Sequence, residues 1–478
     1  MIIHLLNSQT DFKTYNNNVD VVQNDKLSSL KLSKPELELL DFKNQNKQNI
    51  VALFNGNKTN WVVIFKADKK SLEDFRCLGA DLAKKAQAEK ADELNIDGSN
   101  ITDKELLALA EGFVLESYRF LKYFKAETKS EKLFSVKQLN VFHDKVNDTD
   151  ISFINNTLKA VFWARDMVNE PVNFMNSIRL SQEITMRGQE SGLKVEVLDK
   201  TKIEALRMGG LLAVNKGSID PPTFTICEWK PKNAVNKKPF VLVGKGIVYD
   251  TGGLSLKPTA GSMDLMKSDM GGAATVAATM YSLSLNELPV WVIALIPATD
   301  NRPDGNAYTP GDIIKMYNGL NVEVLNTDAE GRMILADALS YGDKYDPELS
   351  ITVATLTGSA AMAIGSHGSV YMGNANKKWF DKLGDAADKT HERLVQFPFW
   401  GEYGEAMKSD IADLKNIGSR EGGAISAGKF LENFTKSPYI HFDIAGTAFL
   451  TKAEKYKPKG GTGVAVRMFT EFFRELSK

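Results

Sequence analysis

Short apolar runs separated by lysine- and asparagine-rich stretches mark the first third of the chain. Asn60-Trp-Val-Val-Ile-Phe-Lys66 predicts a strand after the turn formers Asn55-Gly-Asn-Lys58. Residues 71–91 and 102–124 carry apolar side chains at helical spacing, with Thr102 or Asp103 as the N-cap before Leu106, Leu107 and Leu109. Strand and helix alternate, which predicts a small α/β domain over residues 1–150. A linking helix follows over 151–176, carrying Ala164-Arg-Asp-Met-Val-Asn-Glu-Pro171. Beyond it, over 177–478, glycine becomes dense and strand-like runs appear at 194–198, 240–243, 290–296, 322–325 and 349–354. Helical stretches at 272–285 and 333–345 separate them. This alternation predicts a large α/β domain with a mostly parallel or mixed sheet covered by helices on both faces.

Composition narrows the picture. The chain has 478 residues with 59 basic and 60 acidic side chains, so no long-range charge draws it to nucleic acid or anionic lipid. Its two cysteines, Cys77 and Cys227, exclude a disulfide framework and a Cys-rich zinc module. Five histidines occur, with no HExxH and no helical ligand spacing, so a catalytic metal would need mostly oxygen ligands. The first residues have no basic n-region or export-length apolar run, and no apolar stretch is long enough to span a bilayer. A cytoplasmic location and no membrane partner are expected.

Charge gathers in three loops of the larger domain. The first is Gly244-Lys-Gly-Ile-Val-Tyr-Asp250-Thr-Gly-Gly-Leu-Ser-Leu-Lys257; the second is Met263-Asp-Leu-Met-Lys-Ser-Asp269. The third, Asn326-Thr-Asp328-Ala-Glu330-Gly-Arg332, follows the strand-like run 322–325 and precedes a helix. Ligands of such sheets bind at the carboxyl ends of strands. On extended backbone, Asp328 and Glu330 would aim to one side. Four carboxylates at one sheet edge repel one another unless cations hold them, and a pair of divalent metals about 3.5–4 Å apart resolves that repulsion. Lys245 and Lys257 fit two roles, a deprotonated nitrogen ligand or a charged oxyanion partner, and their order in the sequence does not allot them. Taken singly, each charged residue has a plainer reading: Asp269 as an N-cap, Arg332 as one end of an ion pair. Gly244-Lys-Gly lacks the P-loop pattern and Gly252-Gly253 lacks the dinucleotide pattern. His367 and His441 read as structural.

Asn326-Thr-Asp-Ala-Glu-Gly-Arg332 resembles the NTDAEGR signature of the leucyl aminopeptidase family, the dinuclear cytosol aminopeptidases. The other two loops, with Gly305-Asn-Ala-Tyr-Thr-Pro-Gly-Asp312, Ala354-Thr-Leu-Thr-Gly358 and Asp443-Ile-Ala-Gly-Thr447, resemble further family segments in order. The resemblance runs from about residue 151 to the C-terminus. It implies that Asp250 and Glu330 bridge two metals, that Asp328 completes one site, and that Lys245 and Asp269 complete the other. Lys257 would contact the substrate carbonyl, and Arg332 would hold bicarbonate as general base. Zn²⁺ or Mn²⁺ would fill the sites, with Mg²⁺ and Co²⁺ also accepted. Met266, Thr355, Leu356, Gly358, Ala445 and Ala448 would line the pocket for the first residue. The resemblance further implies peptide substrates with neutral or hydrophobic N-termini, and a homo-hexamer. Gly418-Ser-Arg420 departs from the family's commoner glycine at Ser419. Two other functions compete, a DNA-binding regulator and a metal-dependent phosphoesterase; the balanced charge argues against the first.

Overall fold

Capping sets the first helices. Ser71 and Asp74 form a reciprocal capping box at the start of Leu72–Ala88, and Thr102 with Glu105 does the same for Asp103–Glu116. Thr102, not Asp103, is therefore the cap. That second helix stops at Glu116, short of residue 124, where the Ser117 hydroxyl donates to the Val114 carbonyl. The computed structural model describes residues 1–6, 15–56, 58–66, 68 and 71–478. Asn57 of the expected turn lies outside them.

The chain divides into two units, Met1–Leu158 with Lys452–Pro458, and Lys159–Thr451 with Lys459–Lys478. In the first, a six-stranded sheet runs in the order Ile2–Leu5, Gln138–Phe142, Glu93–Asp97, Asn17–Gln23, Lys58–Phe65, Ile50–Asn55. All its pairings are parallel except the last.

The second unit is built on a larger mixed sheet. Tyr439–Asp443, Leu349–Ala354, Phe240–Gly244 and Val292–Asn301 form its parallel centre, and every residue in them is buried. Burial from both sides explains why Leu349–Ala354, Phe240–Gly244 and the start of Val292–Asn301 read as apolar runs. Thr223–Trp229 and Lys194–Leu198 add antiparallel to one side, while Ser369–Gly373 and Leu394–Gln396 extend the other. Helices flank the sheet. Gly271–Leu285 packs on it with Ser177–Ser191 and Val466–Leu476, and Glu330–Gly342 packs on it with Gly209–Asn215 and Gly423–Glu432. Among the described residues no helix is long and apolar enough to cross a membrane.

Two expectations are corrected. The run 322–325 is no part of the large sheet: Asn321–Glu323 pairs with Ile313–Lys315 and Leu414–Lys415 in a separate three-stranded sheet. The stretch before Asp250, expected as loop, is the strand Gly246–Asp250, parallel to Val292–Asn301.

Candidate metal centre

The strand Phe240–Gly244 delivers Lys245 at its carboxyl end, where the Lys245 amide donates to Val353 O and its carbonyl accepts from Ala273 N. Gly246–Asp250 ends on Asp250. A 3₁₀ turn, Met263–Ser268, leads into Asp269. Glu330 opens the helix Glu330–Gly342, with Asp328 in the turn before it. Asp328 and Glu330 thus converge through a helix start rather than along extended backbone. The helix N-terminus also favours negative charge there.

The three loops meet. Carboxylate oxygens of Asp250, Asp328 and Glu330 lie within 4.8 Å of one another. Lys245 Nζ is buried between Asp269 Oδ1, at 2.9 Å, and Glu330 Oε1, at 2.9 Å, and donates to Thr355 O at 3.1 Å. Lys257 Nζ lies 2.9 Å from Asp250 Oδ2 and also contacts Asp328. The geometry thus separates the two lysines: Lys245 is enclosed on the Asp269 side, and Lys257 stands on the Asp250–Asp328 side. Asp269 does not cap the following helix; it takes Lys245 and the Thr355 hydroxyl, the latter at 2.7 Å.

Electrostatics register the crowding. Burial raises the Glu330 pKa to about 8, with Asp250 adding to the rise. Burial likewise lifts Asp269 to about 6, and Asp328 upward. For Lys245, burial opposes the charge, but Asp269, Glu330 and Asp250 outweigh it and hold its pKa above the usual lysine range. Lys257 follows the same balance, with Asp250, Glu330 and Asp328 prevailing over burial. Burial brings Arg332 down to about 10. The buried atoms Glu330 Oε2, Arg332 Nε and Arg332 Nη1 meet no hydrogen-bond partner among the described residues. Unsatisfied buried oxygen beside a carboxylate cluster fits a bound cation, and the orphan guanidinium donors fit a bound anion.

All of these side chains open onto one cavity of about 660 Å³. Met266, Thr355, Leu356, Gly358, Ala445 and Ala448 line it too, so every site residue expected from the sequence is brought to this single space. Arg420 and Ser419 lie on its wall. His441 stays out of the lining: it is fully buried, with Nδ1 2.8 Å from the Thr352 hydroxyl. His367 is exposed and is likewise absent from the lining.

Supporting residues escaped the sequence reading. Asp443 accepts from the Thr357 hydroxyl (2.7 Å), Leu356 N and Ala445 N, and so ties two walls of the cavity together. Asn416 holds the entry to the third loop through Leu325 N and Asn326 O. Asn301 donates to Asp250. Asn416 and Asn301 gave no signal beyond a polar residue within or just beyond an apolar run, and Asp443 stood only as the start of a family-like segment, with no role attached.

A mixed α/β sheet with an acidic cluster gathered beside the ends of Phe240–Gly244 and Gly246–Asp250 offers the oxygen donors of a divalent-cation site, in a cavity where such sheets bind ligands. The particular family follows from likeness to known proteins. Residues 162–470 match the "Cytosol aminopeptidase family, catalytic domain", and the chain belongs to that family. A "Probable cytosol aminopeptidase" of Chlorobium limicola is 40% identical over 430 residues, covering 85% of this chain and 84% of that one. Another, from Chloroherpeton thalassium, is 38% identical over 475 residues, covering 94% and 89%. A solved structure, "Bottromycin maturation enzyme BotP in complex with Mn", superposes with a TM-score of 0.86 at 27% identity, over 97% of this chain and 100% of that one. The chain is therefore a hydrolase of the aminopeptidase type.

Proposed function

We propose that this aminopeptidase works through two divalent cations held in the acidic cavity and releases neutral, mainly hydrophobic, N-terminal residues from peptides. One observation carries the reading: four carboxylates and two lysines converge in one cavity, where the Glu330 Oε2 oxygen has no partner among the described residues. Asp250 and Glu330 would lie between the cations, Asp328 on one side and Lys245 with Asp269 on the other. Such a pair, when bound, supplies Lewis-acid polarisation of the scissile carbonyl, activation of water, and an anchor for the free α-amine.

The chain's own groups do the rest. Lys245 must give up its proton to serve as a ligand, a loss that a cation beside it favours. Lys257 offers a charged donor to the carbonyl oxygen as negative charge develops there. Arg332 presents two guanidinium nitrogens, Nε and Nη1, with no partner among the described residues, donors that would hold an oxyanion such as bicarbonate as the general base. Thr355 and Gly358, with Met266, Leu356, Ala445 and Ala448, would receive the first side chain, and their small or apolar surfaces favour a neutral residue. Zn²⁺ or Mn²⁺ suits the donor set, with Mg²⁺ or Co²⁺ as substitutes; the likeness to BotP, solved in complex with Mn, supports manganese. A cytoplasmic homo-hexamer is part of the proposal, with residues 1–150 as the N-terminal domain, 151–176 as the link, whose helix runs Asp148–Asn169 and stops short of residue 176, and 177–478 as the catalytic domain.

The test is leucine release from leucine amide by Glu330→Ala and Asp250→Ala proteins. Each should lose at least about 10³-fold in kcat/KM, in line with the loss of a transition-state interaction. Activity within a few-fold of the parent in either variant would sink the assignment.

A further inference from the structure

Val292–Asn301 is the strand that runs beside Gly246–Asp250, and the two end together, Asp250 opposite Asn301. Asn301 is fully buried. Its amide group spans two loops: Nδ2 donates to Asp250 Oδ1 at 2.9 Å and to Thr327 O at 3.0 Å. Its backbone carbonyl meanwhile accepts from Thr251, both N at 3.1 Å and Oγ1 at 2.8 Å. Both neighbours of Nδ2 are acceptors, so the reversed amide would set three oxygens against one another. The other end of the amide, Oδ1, has no hydrogen-bond partner among the described residues and points at Gly253. A Cβ at Gly253 would stand 2.8 Å from that oxygen, and the residue's φ of +62° itself favours glycine.

The consequence falls on Asp250. Its Oδ1 takes Asn301 Nδ2 and also Gly252 N, at 2.8 Å, so that oxygen is fully engaged by the protein. Oδ2 is left facing Lys257 and the cavity. The same Asn301 amide reaches the backbone of Thr327, the residue before Asp328. One side chain thus fixes both the rotation of one carboxylate and the position of the loop that carries two others.

We propose that Asn301 is the positioning residue of the metal centre, holding Asp250 Oδ2 and the 326–330 loop in register for cations before any cation arrives. The inference rests on the two-cation reading above. Partners of this kind that orient a ligand commonly govern metal affinity by about 10- to 100-fold. A residue that only filled space would affect folding and leave affinity alone.

The experiment is calorimetric Mn²⁺ titration of the metal-free full chain, with thermal unfolding of the same samples. Asn301→Ala and Asn301→Ser are compared with the parent; the serine variant keeps a polar group in the buried site. The expected result is an Mn²⁺ Kd raised about 10- to 100-fold, a lower kcat at saturating Mn²⁺ with little change in KM for leucine amide, and metal-free melting close to the parent. A folded variant that binds Mn²⁺ as tightly as the parent overturns the proposal. So does failure of both variants to fold, which makes Asn301 structural. A parent chain that binds no Mn²⁺ defeats the two-cation reading instead, a result the first titration alone reveals.

Discussion

At Glu330 burial acts first and Asp250 second, and both push the carboxyl upward, to about 8. Without cations this carboxyl is pushed toward its protonated form; a cation beside it would push the other way. His441 shows the opposite case. Burial first, then Arg332, brings it from 6.5 to about 3, so the folded ring stays neutral where the unfolded ring charges. Between these values the unfolded state binds a proton that the folded state refuses, so stability falls as pH falls from about 6.5 toward 3. Urea unfolding of a His441→Gln variant between pH 4 and 6 should show a shallower slope, by up to about 1.4 kcal/mol per pH unit. A slope equal to the parent's would contradict this account of His441. Legibility at this scale divides the same way. Asp250, Asp269, Asp328 and Glu330 announce themselves as charges in short glycine-bearing loops. The roles of Asn301 and Asp443 do not, because they depend on distant partners, Asp250 51 positions from Asn301 and Leu356 87 positions from Asp443.

The start of the helix Glu330–Gly342 shows how an element shapes the site. Gly331 lies against the Lys245 side chain, and a Cβ there would stand 2.7 Å from Lys245 Nζ. Alanine favours a helix interior by about 1 kcal/mol over glycine, so helix propensity alone would make Gly331→Ala harmless. Close approach should win instead: the variant should displace Lys245 and cut leucine amide hydrolysis by more than about 10-fold, while melting changes by only a few degrees. Full activity in Gly331→Ala would show that Lys245 has no fixed place in the centre. Among elements, the central strands were readable because burial on both faces leaves uninterrupted apolar runs. Tyr439–Asp443 was not, since His441 and Asp443 break its run with buried polar groups that only the fold satisfies. The segment 322–325 looked like a core strand because a short apolar run does not say which sheet it joins.

For the whole molecule, the balance of 59 basic against 60 acidic residues hides a local concentration of acid in one cavity. Scarcity of cysteine and histidine excludes only metal sites built from those residues. All three loops fall within the family-matched residues 162–470, and the geometry brings them to one space. The central claim is that hydrolysis depends on two cations in that space. It is tested most directly by adding Mn²⁺ stepwise to the metal-free chain, measuring bound metal and the hydrolysis of leucine amide and a phosphate ester on each sample. The expected result is amide hydrolysis that appears as bound metal approaches two ions per chain, is abolished by a chelator, and has no phosphate-ester counterpart. Full amide hydrolysis in the metal-free sample, or saturation of activity without bound metal in the cavity, would contradict the account.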